Sequence, residues 1–339
     1  PRFSDSARAA DDECLRATEV AQPALGAVSL AALDVLSCFG FEAEGFAGHS
    51  YGELAALCAA GCYDRETLHE LSRLRGVLMA AGEGDRGSML AVSAPLAEIE
   101  ALLDDAGLDL VLANRNTPEQ GVLSGATVEI QKAADLLTAK GIRFKQLSVS
   151  AAFHSALVAE AAKPFAEKLQ QITFAAPATA VYSNTSGCQY PHKADDVRTL
   201  LATQLPSPVD FTREIDSMYQ AGIRTFVEVG PGARLTGMVQ AILADRDHQA
   251  IAIDSSNGKR SGLLDLARAL AQLAVAGVAL DLALWDEAAL TETTSRKKKG
   301  LTVPICGANH FVPPAKRPPV AARPTPPAVA AASAAPPQS

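Results

Sequence analysis

Apolar positions recur at helical spacing in Gln22 to Phe39, where Leu25, Val28, Leu33 and Leu36 define one stripe. Pro23 there suits the first turn of a helix. Gly45 to Gly48 reads as a short strand end. Gly52 to Ala60 reads as a helix closed by Gly61 at a C-cap position, and Asp64 caps a longer helix through Met79. From Gly87 to Leu147 the pattern runs strand, helix, strand, strand, helix, strand. The pieces are Ser88–Val92, Leu96–Asp104, Leu108–Asn114, Gln120–Ser124, Val128–Lys140 and Ile142–Leu147. That order is ferredoxin-like and is read as a self-contained inserted subdomain. A further helix is expected from Leu157 to Leu169 and a strand from Thr225 to Val229. Helices alternating with short apolar runs indicate an α/β fold, with no internal repeat.

Composition narrows the class. The chain has 339 residues, 48% of them hydrophobic and 20% charged, enough apolar material for a substantial core. The net charge of −8 argues against a general nucleic-acid binder. The uncharged apolar run Ala269 to Leu280 has twelve residues, short of the roughly 20 that a bilayer span needs, so no membrane span is expected. Six cysteines with no CxxC pair are read as reduced thiols of a cytoplasmic protein, and no metal site is expected. The chain opens on Pro1 without a starting Met and is expected to be a piece of something longer. Residues 286–311 read as a post-domain segment. It contains the basic run Ser295 to Gly300, read as a solvated loop. Residues 312–339, with nine Pro, nine Ala and no acid, read as an extended linker to a further domain.

The sharpest chemical feature is Gly48-His49-Ser50-Tyr51-Gly52, set between a strand end and a helix. A nucleophile elbow requires that setting. The turn projects the serine hydroxyl away from the chain, and the glycines on either side are expected to avoid collisions with strand and helix. The following helix brings its amide N–H groups, that of Tyr51 among them, to where an oxyanion would develop. A serine needs a base. Of the six histidines, His49 is expected to point elsewhere, His69 sits on a polar helix face, and His192, His248 and His310 lie in polar loops. His154, flanked by small residues at a segment junction, is either the base or a structural histidine. Gly230-Pro231-Gly232 lacks a phosphate-loop arrangement and reads as a structural turn.

Several blocks together resemble the malonyl-CoA:acyl carrier protein transacylase family. They are Gly48 to Glu53, Leu74 to Met79, Asn114 to Gln120, Ala152 to Ser155 and Val227 to Gly232, in family order between Thr18 and Asp254. Thr18 to Ala24 and Leu301 to Asn309 resemble the acyltransferase domain of polyunsaturated fatty acid synthases. The resemblance implies a large α/β-hydrolase-like subdomain with a parallel central sheet (1–86 and 148–285). A ferredoxin-like small subdomain (87–147) would lie over the cleft. It implies Ser50 as nucleophile, His154 as general base, the backbone carbonyl of Gln204 as its orienting acceptor, and Arg75 as the clamp for a malonyl carboxylate. Phe153 matches the bulky residue associated with malonyl over methylmalonyl. His49, Asn114 and Asn116 fall among the substrate-binding positions, the two asparagines bracing a loop that faces the cleft. Tyr51 and Ala151 depart from the usual pattern. The implied substrate is a CoA thioester and the acceptor a carrier protein's phosphopantetheine, with no bound cofactor. Carrier domains in the same polypeptide and a ketosynthase upstream are the implied partners.

One expected part is missing. Family members open with a strand and a Gly-Gln-Gly-Ser-Gln-like loop whose glutamine helps form the oxyanion hole, and the polar stretch Pro1 to Cys14 does not match it. The resemblance therefore implies that the intact protein carries this strand upstream. Two other readings stay open: a serine hydrolase with a triad acid, and a truncated docking module whose Ser50 is idle.

Overall fold

The computed structural model describes residues 5–81, 85–147, 151–155 and 158–285, with backbone alone at 5–10, 159 and 161. They fall within one compact unit, residues 1–287. The post-domain segment, the basic run, His310 and the Pro/Ala linker lie outside the described residues, as does Leu157.

The N-terminal part is helical. Helix α1 (Asp5–Arg16) gives way at extended Ala17 to α2 (Thr18–Cys38). Helix α2 starts a turn earlier than the sequence pattern suggests, so Pro23 sits inside it rather than in its first turn. Packing accounts for the extra turn. A Cβ on Gly76 would lie 2.5 Å from Glu19 Cα and 2.8 Å from Thr18 O, so glycine lets α4 (Arg65–Ala80) meet the start of α2 backbone to backbone. The Asp64 side chain caps α4 by accepting from Thr67 N–H at 2.8 Å. By length and composition α2 is apolar enough to cross a membrane, a feature that the C-terminal uncharged run does not share. In the fold it packs on α4 and buries Gln22.

Strand β1 (Gly45–Phe46) feeds the elbow and α3 (Gly52–Ala59). An antiparallel layer follows: β2 (Ser88–Ser93), α5 (Leu96–Ala106), β3 (Leu110–Thr117), β4 (Gln120–Gly125), α6 (Thr127–Lys140) and β5 (Arg143–Gln146). Its strand order is β5-β2-β4-β3, all antiparallel. Leu90, Val92, Ile99, Leu112, Leu123 and Leu137 form its apolar core with α5 and α6. The helices present one stripe, whereas β2, β3 and β4 are apolar runs buried on both faces, with Met89, Ala113 and Val122 packed away from the helices, so this part followed from short apolar runs between helical stripes.

The rest is α7 (Ala159–Gln170), β6 (Ala180–Val181), α8 (Ala194–Thr203), β7 (Val209–Asp210), α9 (Phe211–Gln220), β8 (Thr225–Glu228), α10 (Arg234–Ile242), β9 (Gln249–Ala252) and α11 (Gly262–Val275). Two expectations are corrected here. The layer is not self-contained: β7 adds to it parallel to β3, pairing Asn114 with Val209 and Arg115 with Asp210. Nor is there one central parallel sheet among the described residues. Two separate parallel pairs stand in its place, β1–β6 and β8–β9. A cavity of about 480 Å³ lies between them, walled by Gly45 to Ala47 on one side, Thr225 to Val229 on the other, and apolar side chains such as Leu33, Ile215 and Val239. Each pair has its second strand on one side only, and no described strand joins β1 to β8.

Candidate active site

The elbow follows directly from local sterics. Ser50 has φ 51°, in the left-handed region that non-glycine residues rarely adopt. A Cβ on Gly48 would fall 2.1 Å from the Gly52 carbonyl carbon, so the tight turn admits only glycine there. Gly52 differs from expectation. A Cβ on it would meet nothing within 4 Å, because the crowding is one-sided and falls on Gly48.

His154 also has a left-handed backbone, φ 56°. Such strain costs about 1–3 kcal/mol per residue and persists where the surroundings over-determine it. The two strained residues face each other. Ser50 Oγ lies 2.8 Å from His154 Nε2, and His154 Nδ1 lies 2.9 Å from the Ser207 carbonyl. A carbonyl can only accept, so Nδ1 carries the proton, and Nε2 of the neutral ring offers its lone pair to the serine. Burial, then the nearby Arg75 charge and His49, push the His154 pKa down to about 3, so the ring stays neutral at ordinary pH.

The orienting carbonyl is thus a correction: Ser207 makes this hydrogen bond, and the Gln204 carbonyl contributes only a weaker influence. Gln204 is the C-cap of α8, still in helical geometry, and the chain reaches His154 three residues later. The Gln204 side chain has work of its own. Its Nε2 donates to the Ser50 carbonyl at 2.7 Å and to Glu53 Oε2 at 3.2 Å.

Arg75 projects from α4 into the same point, 1% exposed. Its guanidinium donates to Gln22 Oε1 at 2.9 Å, Ser50 Oγ at 3.2 Å and Gln204 Oε1 at 3.3 Å. Its Nε has no hydrogen-bond partner among the described residues. Burial lowers its pKa to about 10, opposed by Glu53, so it remains a cation at neutral pH. Glu53 is fully buried and receives hydrogen bonds from Tyr190 and Gln204, yet burial raises its carboxyl to about 7. The cation therefore lacks a firm counter-charge, and a ligand carboxylate would supply one.

The remaining predicted residues are placed as follows. Tyr51 caps α3, and no described group accepts its N–H, which stands free at the helix head. Its side chain turns between α2 and α4, bonding Ser72 Oγ at 2.7 Å, and a Cβ on Gly26 would strike its hydroxyl. His49 Nε2 lies 2.8 Å from Asn116 Oδ1, and its ring sits 5.4 Å from that of Phe211. Asn114 and Asn116 are both buried, and they belong to β3 rather than to a loop, since register shifts let the strand run on to Thr117. Phe153 packs on Met89, Ala113 and Val122.

Sequence reasoning missed Ser207, Asn184, Glu214 and the roles of Gln22 and Glu53. Gln22 and Glu53 stood inside the family-like blocks, where an uncompensated polar residue on an apolar face was the available signal. Ser207 contributes only a backbone atom and has no signature.

A profile of the acyl transferase domain family matches residues 3–280. The chain is 34% identical over 307 residues to one subunit of the polyunsaturated fatty acid synthase of Thraustochytrium sp., covering 88% of this chain but 11% of that protein. It is 36% identical over 242 residues to the malonyl CoA-acyl carrier protein transacylase of Bacillus subtilis, 68% of this chain and 75% of that one. Among solved structures, the acyltransferase domain from the second module of the salinomycin polyketide synthase superposes with a TM-score of 0.74 at 31% identity. It covers 84% of this chain and 66% of that one. The transacylase of Clostridium perfringens gives 0.70 at 29% identity, covering 83% and 84%. With a profile match across most of its length and an elbow serine bonded to a buried histidine, this chain belongs to the acyl transferase domain family.

Proposed function

We propose that this domain moves a malonyl group from CoA to the phosphopantetheine thiol of an acyl carrier protein through an ester on Ser50. The observation that carries the reading is the chain Ser50 Oγ–His154 Nε2, with Nδ1 held by Ser207. His154 takes the hydroxyl proton as Ser50 Oγ bonds to the thioester carbonyl carbon, and the free Tyr51 N–H faces the developing oxyanion. The tetrahedral adduct collapses, the C–S bond breaks, and His154 returns the proton to the CoA thiolate. In the second half, His154 takes the carrier thiol's proton, the thiol attacks the ester, and Ser50 leaves with that proton. Arg75 grips the malonyl carboxylate, and the unpartnered Nε points to a second hydrogen bond there. Phe153 narrows the space a branch methyl would need, worth about 1–3 kcal/mol.

A triad acid, which the hydrolase reading needs, is replaced at Nδ1 by a carbonyl. We read β2–β5 as the ferredoxin-like small subdomain and the remainder as the α/β-hydrolase-like one. A strand entering the cavity between β1 and β8 would join the two parallel pairs into one sheet. Carrier domains in the same polypeptide, a ketosynthase upstream and a cytoplasmic setting complete the proposal.

The test is a two-step transfer. Radiolabelled malonyl-CoA should leave label on the chain, and added carrier protein bearing phosphopantetheine should remove it as malonyl-carrier. Prompt release of free malonate without carrier would contradict the reading.

A further inference from the structure

The loop after β6 reaches the elbow through one side chain. Asn184 is fully buried. Its Oδ1 accepts from the Ser50 N–H at 2.5 Å, and its Nδ2 donates to the Gly48 carbonyl at 2.7 Å. One planar amide thereby closes on the residues on either side of His49, which is the part of the chain that must turn sharply. The same Nδ2 donates to Glu214 Oε2 at 2.7 Å, reaching α9. Glu214 is fully buried too, and its Oε1 has no hydrogen-bond partner among the described residues. Burial, followed by the proximity of Glu53, raises its carboxyl well above the usual range. A neutral acid can fix the amide without placing a buried negative charge beside the Glu53 carboxyl.

This network has a consequence for geometry. A serine at φ 51° relaxes toward right-handed or extended backbone unless something opposes it. The relaxed forms would rotate the Ser50 N–H away from Asn184 and swing Oγ away from His154. At the elbow the Asn184 side chain bonds backbone atoms, Ser50 N–H and the Gly48 carbonyl, and not Oγ.

We propose that Asn184, oriented by Glu214, is a positioning residue that holds Ser50 in its left-handed conformation and so aims Oγ at His154 Nε2. The proposal rests on the acyl-serine reading above. Misplacing a reacting atom by about 1 Å lowers rates by about 100-fold, and this is the expected loss in kcat for Asn184→Ala. The KM for malonyl-CoA should stay within about threefold, since the Arg75 clamp is untouched and binding is not what the grip on the backbone serves. Glu214→Ala should lose part of the same rate, and Glu214→Gln, which keeps a neutral acceptor for the amide, should recover most of it.

The experiment uses the full chain, with thermal melting to confirm folding of each variant. It measures kcat and KM for malonyl transfer and the rate at which a fluorophosphonate probe labels Ser50. Slow labelling of Asn184→Ala at unchanged KM, with recovery in Glu214→Gln relative to Glu214→Ala, supports the proposal. Labelling of Asn184→Ala at the wild-type rate overturns it, as does a loss that appears wholly in KM. If Asn184→Ala does not fold, the near-isosteric Asn184→Asp decides. Its carboxylate still accepts from Ser50 N–H but cannot donate to the Gly48 carbonyl, so slow labelling is expected and wild-type labelling overturns the idea. Failure of wild-type Ser50 to label with either probe or malonyl would instead overturn the acyl-serine reading itself.

Discussion

The β2–β5 layer is a continuous antiparallel ladder of four strands, extended by β7 and backed by two helices over an apolar core of Leu90, Ile99 and Leu123. The region around β1, β6, β8 and β9 is the opposite, two short parallel pairs with a 480 Å³ cavity between them. Yet the elbow hangs from β1, in the open region, and is held by polar contacts that cross the molecule. Ser50 bonds His154, Asn184 and Arg75, and its carbonyl takes a hydrogen bond from Gln204. The lesson is that apolar packing stabilises both regions, with Leu54 and Leu57 buried behind the elbow, while a hydrogen-bonded network specifies the catalytic geometry of the second. Stability and catalytic geometry should therefore be separable by mutation.

The largest separation is expected at His154. His154→Ala should lower Ser50 acylation by about 10²–10⁴-fold, the usual contribution of a general base. Burst-phase measurement with malonyl-CoA checks this, and a loss under threefold would break the relay. Next comes Arg75→Ala. Charge-assisted hydrogen bonds are worth about 1.5–3 kcal/mol, so malonyl loading should fall roughly 10–150-fold while acetyl loading falls much less. Equal losses on both acyl-CoAs would remove the carboxylate clamp. A change in the antiparallel layer should do the reverse. Leu123→Ala deletes a fully buried side chain and should cost about 2–5 kcal/mol in urea unfolding, with labelling of the folded protein unchanged. The smallest effect is on pH. An ordinary histidine gains its proton near pH 6.5, whereas His154 holds neutral down to about 3. The acylation rate should therefore stay nearly level from pH 6 to 4, below the range in which Glu53, raised to about 7, takes up its proton. The same depression has a stability consequence. Between pH 6.5 and about 3 the unfolded chain binds the extra proton at His154 and the folded one does not, so the contribution of His154 to stability falls as pH drops through that window, while Glu53, raised to about 7, contributes the opposite between pH 7 and 4.5.

What the sequence disclosed follows the same division. The layer was readable because short apolar runs and helical stripes are local. The elbow was readable because Gly48 and a serine before an amphipathic helix are local as well. His154 was a candidate from its setting, but only the family resemblance singled it out. Its acceptor was assigned to Gln204 and is Ser207, since which carbonyl faces the ring depends on how the chain leaves α8. Asn184 and Glu214 lie 134 and 164 positions beyond the serine (184 − 50 and 214 − 50), and no spacing rule links them to it. The parallel sheet was over-read. Two-residue strands such as β1 and β6 carry too few positions for a period, and no described strand joins them to β8.

The central claim is that Ser50 becomes acylated with His154 as its base. Peptide mass spectrometry of the full chain after brief exposure to malonyl-CoA tests it most directly. The account predicts one malonyl group on the peptide containing Ser50 in wild type, and none at that position in Ser50→Ala or on the same timescale in His154→Ala. Malonyl found on another residue, or on Ser50 equally in His154→Ala, would contradict it.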